Sequence, residues 1–286
     1  TSLPVNSKTS VLIFWNIVKE FKINYSSVMA THINYLLKTS KKVINHNLYG
    51  LFCGGAKLDT NIQKKFEKKF STKIACNYGL TETSSIVSTE PLNKKNIYGS
   101  VGKPLFNNEI KIINKNKLKK GLGEIIVKGN NLFDGYIKNK KKTNQILRNR
   151  WLHTGDLGKI DERGNLYIQE RTDNMIIVSG ENIFPTEIEK FVNNHRKIKL
   201  SVVVPVKDEI SQNKLVLIYE SKSKVSEEEI LNYLYKKISV YKIPKIALNC
   251  KKLGLKEIPK ASNGKILRNK IINFTNILFK KKIISK

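Results

Sequence analysis

Residues 48–79 read LYGLFCGGAKLDTNIQKKFEKKFSTKIACNYG, and the order of patterns within them decides the fold. The segment opens with an apolar run that stops at a glycine pair, as a buried strand does when it ends in a turn. "NIQKKFEKKF" then sets Ile62, Phe66 and Phe70 on one face of an amphipathic helix. "KIACNYG" is a second strand ending at a loop. Strand, helix and strand in succession imply an α/β layer.

Upstream, residues 10–39 read as helix, strand and helix, with Trp15, Val18 and Phe21 at helical spacing before "INYSSVMA". Downstream the character changes. "IKIINK", "GEIIVKG" and "LYIQE" are short apolar strands between Gly, Asn and Lys turns, which predicts a small β-rich subdomain over about 100–170. It changes again after residue 173. Thr186 and Glu189 form a capping box behind Pro185, and Ile188, Phe191 and Val192 line the helix that follows. "LSVVVPV" and "KLVLIYE" are strands. Ser226 and Glu229 make a second box, followed by Ile230, Leu231, Leu234 and Ile238 at helical spacing. Asn263-Gly264 signals a turn, and Leu267, Ile271, Phe274 and Leu278 mark a last helix. The expected architecture is α/β plus α+β, with a first domain over 1–172 and a smaller one over 173–286.

Composition agrees with two soluble domains and narrows the partners. The chain has 286 residues, 40% of them hydrophobic and 27% charged, enough to bury two cores. No apolar run approaches the ~18 residues of a membrane helix, and no secretory signal opens the sequence. Cys53, Cys76 and Cys250 are sparse and unpaired by spacing, which fits a reducing cytoplasm and small buried side chains. No metal-binding pattern joins the scattered His32, His46, His153 and His195. The net charge of +30 would ordinarily suggest nucleic acid or anionic lipid. Only six of the 53 basic residues are arginine, however, and the Lys, Asn and Ile bias of "KIINKNKLKK" is what an AT-rich genome gives without a partner. A solvated basic surface is the preferred reading, and nucleic acid is the disfavoured one.

Five stretches carry more than packing requires. In "LFCGGAKL", Gly54 and Gly55 at a strand end let a flat ligand lie against bare backbone, although a simple turn has the same look. "NYGLTET" places Tyr78, Gly79, Thr81 and Glu82 on a loop after a strand, where ligands of α/β sheets bind. The Tyr78 ring can stack on a base, Thr81 can bond a phosphate oxygen, and Glu82 is a hard oxygen ligand suited to magnesium. In "WLHTGDLG", Asp156 can accept from two ribose hydroxyls, and an Asp turn is the alternative. "ERTDNMIIVSGENIFPTEIE" holds Arg171 and Asp173 at the domain boundary and Gly180 in a loop before the capped helix; an inter-domain linker with a surface ion pair is the alternative. "IPKASNGKILR" holds Lys265 on a turn, a point charge for phosphate, while Pro259 in place of glycine excludes a Walker loop.

In this order, "YGLTE", "GEIIVKGNNLFDGY", "HTGDLG", "RTDNMIIVSGENIFPTEIE" and "PKASNGKILR" resemble the adenylate-forming (AMP-binding) enzyme superfamily from Tyr49 onward, and "GENIFPTEIE" resembles its CoA-ligase branch. The resemblance implies a cytoplasmic ligase of the acyl-CoA synthetase kind, as in fatty acid metabolism, with ATP/AMP, Mg2+ and coenzyme A as cofactors and a carboxylic acid as substrate. It implies that Gly54, Gly55 and Ala56 touch adenine, that Tyr78 beside Gly79 stacks on it, that Thr81 binds the α-phosphate and that Glu82 binds magnesium. Asp156 would hold the ribose with Arg171 nearby. Asp173 would be the hinge, Ser179, Gly180 and Glu181 would face the pantetheine arm, and Lys265 would reach the reacting carboxylate and α-phosphate.

One departure qualifies this. The family's Ser/Thr/Gly-rich loop for the β- and γ-phosphates has no counterpart before Tyr49, and the chain opens on Thr1. The expectation is therefore a partial large domain followed by a complete small one. It would be a fragment, a decayed copy, or a subunit whose missing N-terminal half is a separate chain. A catalytically inactive nucleotide- or CoA-binding remnant and a basic nucleic-acid binder are the competing readings.

Overall fold

The structure is a computed structural model, and it describes residues 12–41, 43, 45–114, 121–208, 210–261 and 264–280. The chain divides into two compact units, Thr1–Gln169 and Glu170–Lys286. The division lies slightly ahead of the change in pattern at 172/173.

The first unit opens with helix α1 (Phe14–Glu20), strand β1 (Tyr25–Met29), helix α2 (Ala30–Thr39), strand β2 (Gly50–Gly54), helix α3 (Thr60–Phe70) and strand β3 (Lys73–Leu80). β1, β2 and β3 pair in parallel, with Val28 beside Cys53 and Cys53 beside Cys76. β4 (Ser85–Thr89) and β5 (Lys103–Pro104) extend the sheet antiparallel, in the order β1-β2-β3-β4-β5. Trp15, Val18, Ile33, Leu36, Phe66 and Phe70 pack on Leu51, Cys53 and Ile74 to form the first core. Helix α3 starts where Asp59 accepts from the N–H groups of Asn61 and Ile62, at 2.8 and 3.1 Å, and ends at Ser71 with φ 52°. Phe21 departs from the expected face: it is 53% exposed, because α1 stops at Glu20 and the chain turns away.

A second sheet in this unit has the order β10-β9-β7-β6, built from β6 (Asn108–Ile113), β7 (Gly123–Gly129), β9 (Trp151–Ile160) and β10 (Leu166–Arg171). Short β8 (Leu147–Arg148) pairs with β9 after helix α4 (Lys140–Ile146). Ile110, Ile125, Val127, Leu152 and Leu166 join Val87 of β4 in its core, and Tyr78 and Leu80 of β3 pack on the same cluster.

The second unit begins with the hairpin β11 (Ile176–Val178) and β12 (Glu181–Ile183), followed by helix α5 (Pro185–Asn193). β13 (Ile198–Asp208) and β14 (Gln212–Ser221) are antiparallel, and β15 (Ile246–Asn249) runs parallel to β14. Helices α6 (Glu227–Tyr235) and α7 (Arg268–Lys280) complete it. Val203 and Leu217 pack with Ile188, Val192, Ile230 and Leu234, while Val202, Val204, Val216 and Ile218 pack with Ile258 and Ile271. Both faces of this sheet are buried, and successive residues point to opposite faces, so "SVVV" is apolar without alternation.

Two sequence expectations shift here. Helix α5 has Phe184 as its cap and Pro185 in its first turn, so Thr186 is already helical and no capping box forms there. Glu189 turns inward instead, accepting from Val203 N–H at 2.7 Å and from Arg268. In α7 the expected Ile271 and Leu278 do pack in the core, beside buried Thr275 and the partly buried Ile272 and Phe279, with Ile266 before the helix. Leu267, just ahead of the helix, is 39% exposed and Phe274 lies outside the cluster. At the α6 cap Ser226 accepts from Glu229 N–H at 3.0 Å, but the Glu229 carboxylate pairs with Lys197 rather than closing a box. Asn263 of the expected Asn-Gly turn lies outside the described residues.

Candidate active site

The expected residues fall into two groups, one in each unit. In the first unit, Gly54 closes β2, and Gly55 and Ala56 form the exposed turn beyond it. Gly54 neighbours Asn77 of β3, so this turn lies at the carboxyl ends of two adjacent parallel strands. Lys57 extends from the turn to the carbonyl of Ile168 in β10, at 2.9 Å.

"NYGLTET" is less of a loop than its sequence suggests. β3 continues through Tyr78 and Gly79 to Leu80, paired with Ser88, Ile86 and Ser85 of β4. A Cβ at residue 79 would sit 1.8 Å from the Ser85 carbonyl oxygen, so only glycine permits this approach. The chain leaves the strand at Thr81–Thr83, a single 3₁₀ turn. Thr83 is buried and pins that turn, accepting from Leu80 N–H at 2.9 Å with its hydroxyl 2.8 Å from the Ser85 carbonyl oxygen. Asn131 donates to the Thr83 carbonyl at 2.8 Å from outside. Thr81 is thereby held exposed and Glu82 half-buried.

Asp156 is not in a turn. It lies within β9 and is 6% exposed. Its backbone N–H donates to Thr154 Oγ1, which donates to the Ile125 carbonyl, at 3.0 and 2.7 Å. The Tyr78 hydroxyl donates to Asp156 Oδ2 at 2.6 Å, bringing the expected base-stacking and ribose-binding residues into direct contact. Glu124 supports β9 beside them. Its carboxylate accepts from Gly155 N–H at 3.3 Å and lies 3.2 Å from His153 Nδ1.

In the second unit, Arg171 Nη2 and Asp173 Oδ2 are 3.9 Å apart, with Asp173 exposed in the 3₁₀ turn Thr172–Asn174. Glu170 fixes that turn by accepting from Arg171 N–H, Asn174 Nδ2 and Thr186 N–H. Ser179 and Gly180 form the exposed tip of the β11–β12 hairpin, at φ 49° and 83°, and Glu181 opens β12. This pair of left-handed residues is the geometry of a two-residue hairpin turn. Lys265 is exposed on a second hairpin-like turn, where Ala261 N–H donates to the Lys265 carbonyl at 2.8 Å and Leu267 N–H donates to Pro259 at 2.9 Å. Arg268 follows and is clamped by Glu189.

Sequence reasoning missed Tyr136, Thr83, Asn131 and Glu170. Tyr136 donates to Glu82 Oε1 at 2.5 Å, and the motif "GEIIVKGNNLFDGY" contained it without indicating where its hydroxyl points. All three cysteines are buried with free thiols, and burial pushes Cys53 up to about 12 and raises Cys76 as well, which suits packing and not nucleophilic chemistry.

Residues 3–137 match the AMP-binding enzyme family. The 2-succinylbenzoate–CoA ligase of Bacillus mycoides (strain KBAB4) is 38% identical over 198 residues, which is 68% of this chain and 40% of that protein. The Bacillus cereus (strain ATCC 14579) enzyme of that name is 37% identical over 197 residues, with the same shares. Among solved structures, o-succinylbenzoate CoA synthetase from Bacillus subtilis, in complex with the acyl-adenylate intermediate OSB-AMP, has a TM-score of 0.81 at 28% identity, covering 92% of this chain and 53% of that one. ATP-bound MatB from Rhodopseudomonas palustris has a TM-score of 0.85 over 94% of this chain and 54% of its own, and at 23% identity the likeness is one of fold. The chain belongs to the AMP-binding enzymes, and its curated relatives are acyl-CoA ligases. It spans about 40% of the length of those relatives.

Proposed function

We propose that this chain contributes to ATP-dependent activation of a carboxylic acid to an acyl-adenylate and transfer of the acyl group to the thiol of coenzyme A. The observation that carries the reading is the Tyr78–Asp156 contact beside the Thr81–Glu82 turn, which groups a flat ring, a buried carboxylate, a hydroxyl and a second carboxylate in one unit. Tyr78 would present its ring to adenine at the Gly54–Ala56 turn. Asp156 would accept from the ribose hydroxyls, and Thr81 would donate to an α-phosphate oxygen. In the first step an oxygen of the carboxylate attacks the α-phosphorus and pyrophosphate leaves. In the second the CoA sulfur attacks the acyl carbon and AMP leaves.

Anionic groups meet in the first step, and Lys265 on its turn would offset their repulsion. A bound magnesium ion would supply further charge neutralisation there. Among the described residues no group of three His, Cys, Asp or Glu side chains could hold a metal alone. One half-buried carboxylate next to a phosphate-binding hydroxyl suits an ion shared with substrate phosphates, which is how magnesium is usually held. Asp173 would be the hinge, and the Ser179–Glu181 tip would face the pantetheine arm during thioester formation.

The sheet itself favours completion by further polypeptide. At its β1 edge Tyr25 is 54% and Tyr49 56% exposed, with their rings 5.7 Å apart, an apolar pair that further polypeptide would cover. The whole reaction is therefore assigned to this chain together with the length its relatives have beyond it. The test is ATP–pyrophosphate exchange with 2-succinylbenzoate as the first acid, by the chain alone and with a second polypeptide supplying that length. The expectation is no exchange alone and exchange in the combination. Two folded partners that bind AMP but give no exchange with any acid would favour the inactive nucleotide-binding remnant.

A further inference from the structure

Tyr136 is held from several sides. Its backbone N–H donates to Thr143 Oγ1 at 2.9 Å, and Thr143 belongs to α4, whose cap is Asn139. The Phe133 ring meets the Tyr136 ring edge-on at 5.0 Å, and Lys142 Nζ lies 4.5 Å from its centroid on the face. The segment carrying it is fastened to the 3₁₀ turn at two backbone points. Phe133 N–H donates to the Glu82 carbonyl at 2.9 Å, and Asn131 donates to the Thr83 carbonyl at 2.8 Å. The Tyr136 hydroxyl then reaches across 54 positions of sequence to one oxygen of the Glu82 carboxylate, at 2.5 Å. The ring has few ways to move while these contacts hold, so the hydroxyl is a fixed donor and the carboxylate plane is set by it.

We propose that Tyr136 is a positioning residue for Glu82: it takes Oε1 as acceptor and so orients Oε2 toward a divalent cation carried by the nucleotide. A ligating carboxylate without such an outer partner rotates freely and loses affinity for its ion. This rests on the reading of Glu82 as the magnesium ligand. It adds that residues 131–143, which were assigned no chemistry from sequence, serve the metal and not only the fold.

The experiment uses the chain as it stands, with Mn2+ as the probe ion. Binding of Mn2+ in the presence of ATP is followed by electron paramagnetic resonance for the wild type, Tyr136→Phe and Glu82→Gln. AMP affinity without metal and the melting temperature are measured on the same preparations. The expected result is Mn2+ affinity about 10- to 100-fold weaker in Tyr136→Phe, with metal-free AMP affinity unchanged. A folded Tyr136→Phe protein with wild-type Mn2+ affinity, while Glu82→Gln has lost the ion, overturns the role of Tyr136 and leaves Glu82 as ligand. Equal Mn2+ affinity in wild type and Glu82→Gln, or no nucleotide-dependent Mn2+ binding by the wild type, overturns the Glu82 reading and this proposal with it. Loss of AMP affinity in step with Mn2+ affinity shows that Tyr136 merely supports the fold.

Discussion

The Tyr78 hydroxyl and Asp156 Oδ2 lie 2.6 Å apart, joining a strand of the first sheet to a strand of the second within one unit. If Tyr78 meets the base and Asp156 the ribose, as proposed above, this bond would fix the spacing between the two functions. Tyr78→Phe keeps the ring and removes the donor from a buried carboxylate. It should destabilise the protein by about 1–3 kcal/mol in urea denaturation. AMP should bind more weakly, and adenine, which lacks the ribose, should bind as before. Equal loss for adenine and AMP would show that the hydroxyl supports the stacking position instead.

Lys265→Ala, measured in the exchange-competent combination, should slow acyl-adenylate formation by ~10²–10³ and spare thioester formation from preformed acyl-adenylate. Its turn is closed by backbone bonds of Ala261 and Leu267, so the side chain can be removed without opening the turn. Equal loss in both half-reactions would contradict a role confined to the first.

Asp173→Pro tests the hinge. Asp173 is exposed in the turn Thr172–Asn174, where its side chain makes one loose ion pair with Arg171. Proline holds φ near −65° and should preserve adenylate formation while abolishing thioester formation. Asp173→Ala, which leaves φ free, should be mild in both. A folded Asp173→Pro protein with normal thioester formation removes the hinge.

Glu90 gives a pH dependence of stability. It is 3% exposed, and desolvation by burial raises its carboxyl to about 7 despite the N–H of Ile97 donating to Oε1 at 3.0 Å. The folded state thus holds a proton that the unfolded state has released above about 4.5. The favourable contribution is fully present below that value and is lost as pH rises toward 7, by roughly 3 kcal/mol over the interval. Glu90→Gln resembles the protonated form, so it should raise the melting temperature at pH 8 and change it little at pH 4.5. A uniform shift at both pH values would show that the carboxyl titrates normally.

The parts of the fold legible in the sequence were those encoded in neighbouring residues. "NIQKKFEKKF" states its own helix, and "LFCGG" followed by "KIACNYG" states its parallel pair. Tyr78, Asp156 and Lys265 stand out as candidates because each sits in a short distinctive string. What those strings lack is direction. Nothing near Tyr136 indicates that its hydroxyl finds Glu82, and nothing near Thr186 shows that Glu189 turns inward to Arg268. Periodicity held at α7 for Ile271 and Leu278 and missed at its start, where Ile266 and not Leu267 packs in the core.

The Arg268 clamp bears on how this sequence can drift. Its guanidinium donates to both oxygens of Glu189, at 2.6 and 3.0 Å, and to the Val203 carbonyl at 2.7 Å, so three acceptors are spaced for a planar fork. Only six of this chain's 53 basic residues are arginine, and lysine serves equally wherever a charge only needs solvent. At position 268 a lysine would bring one ammonium to acceptors it cannot all reach, leaving buried oxygens without donors at the root of the helix behind Lys265. Exchange of arginine for lysine can therefore be absorbed where the side chain only meets water, and is resisted at position 268, where the fork holds the second unit's packing and not its charge.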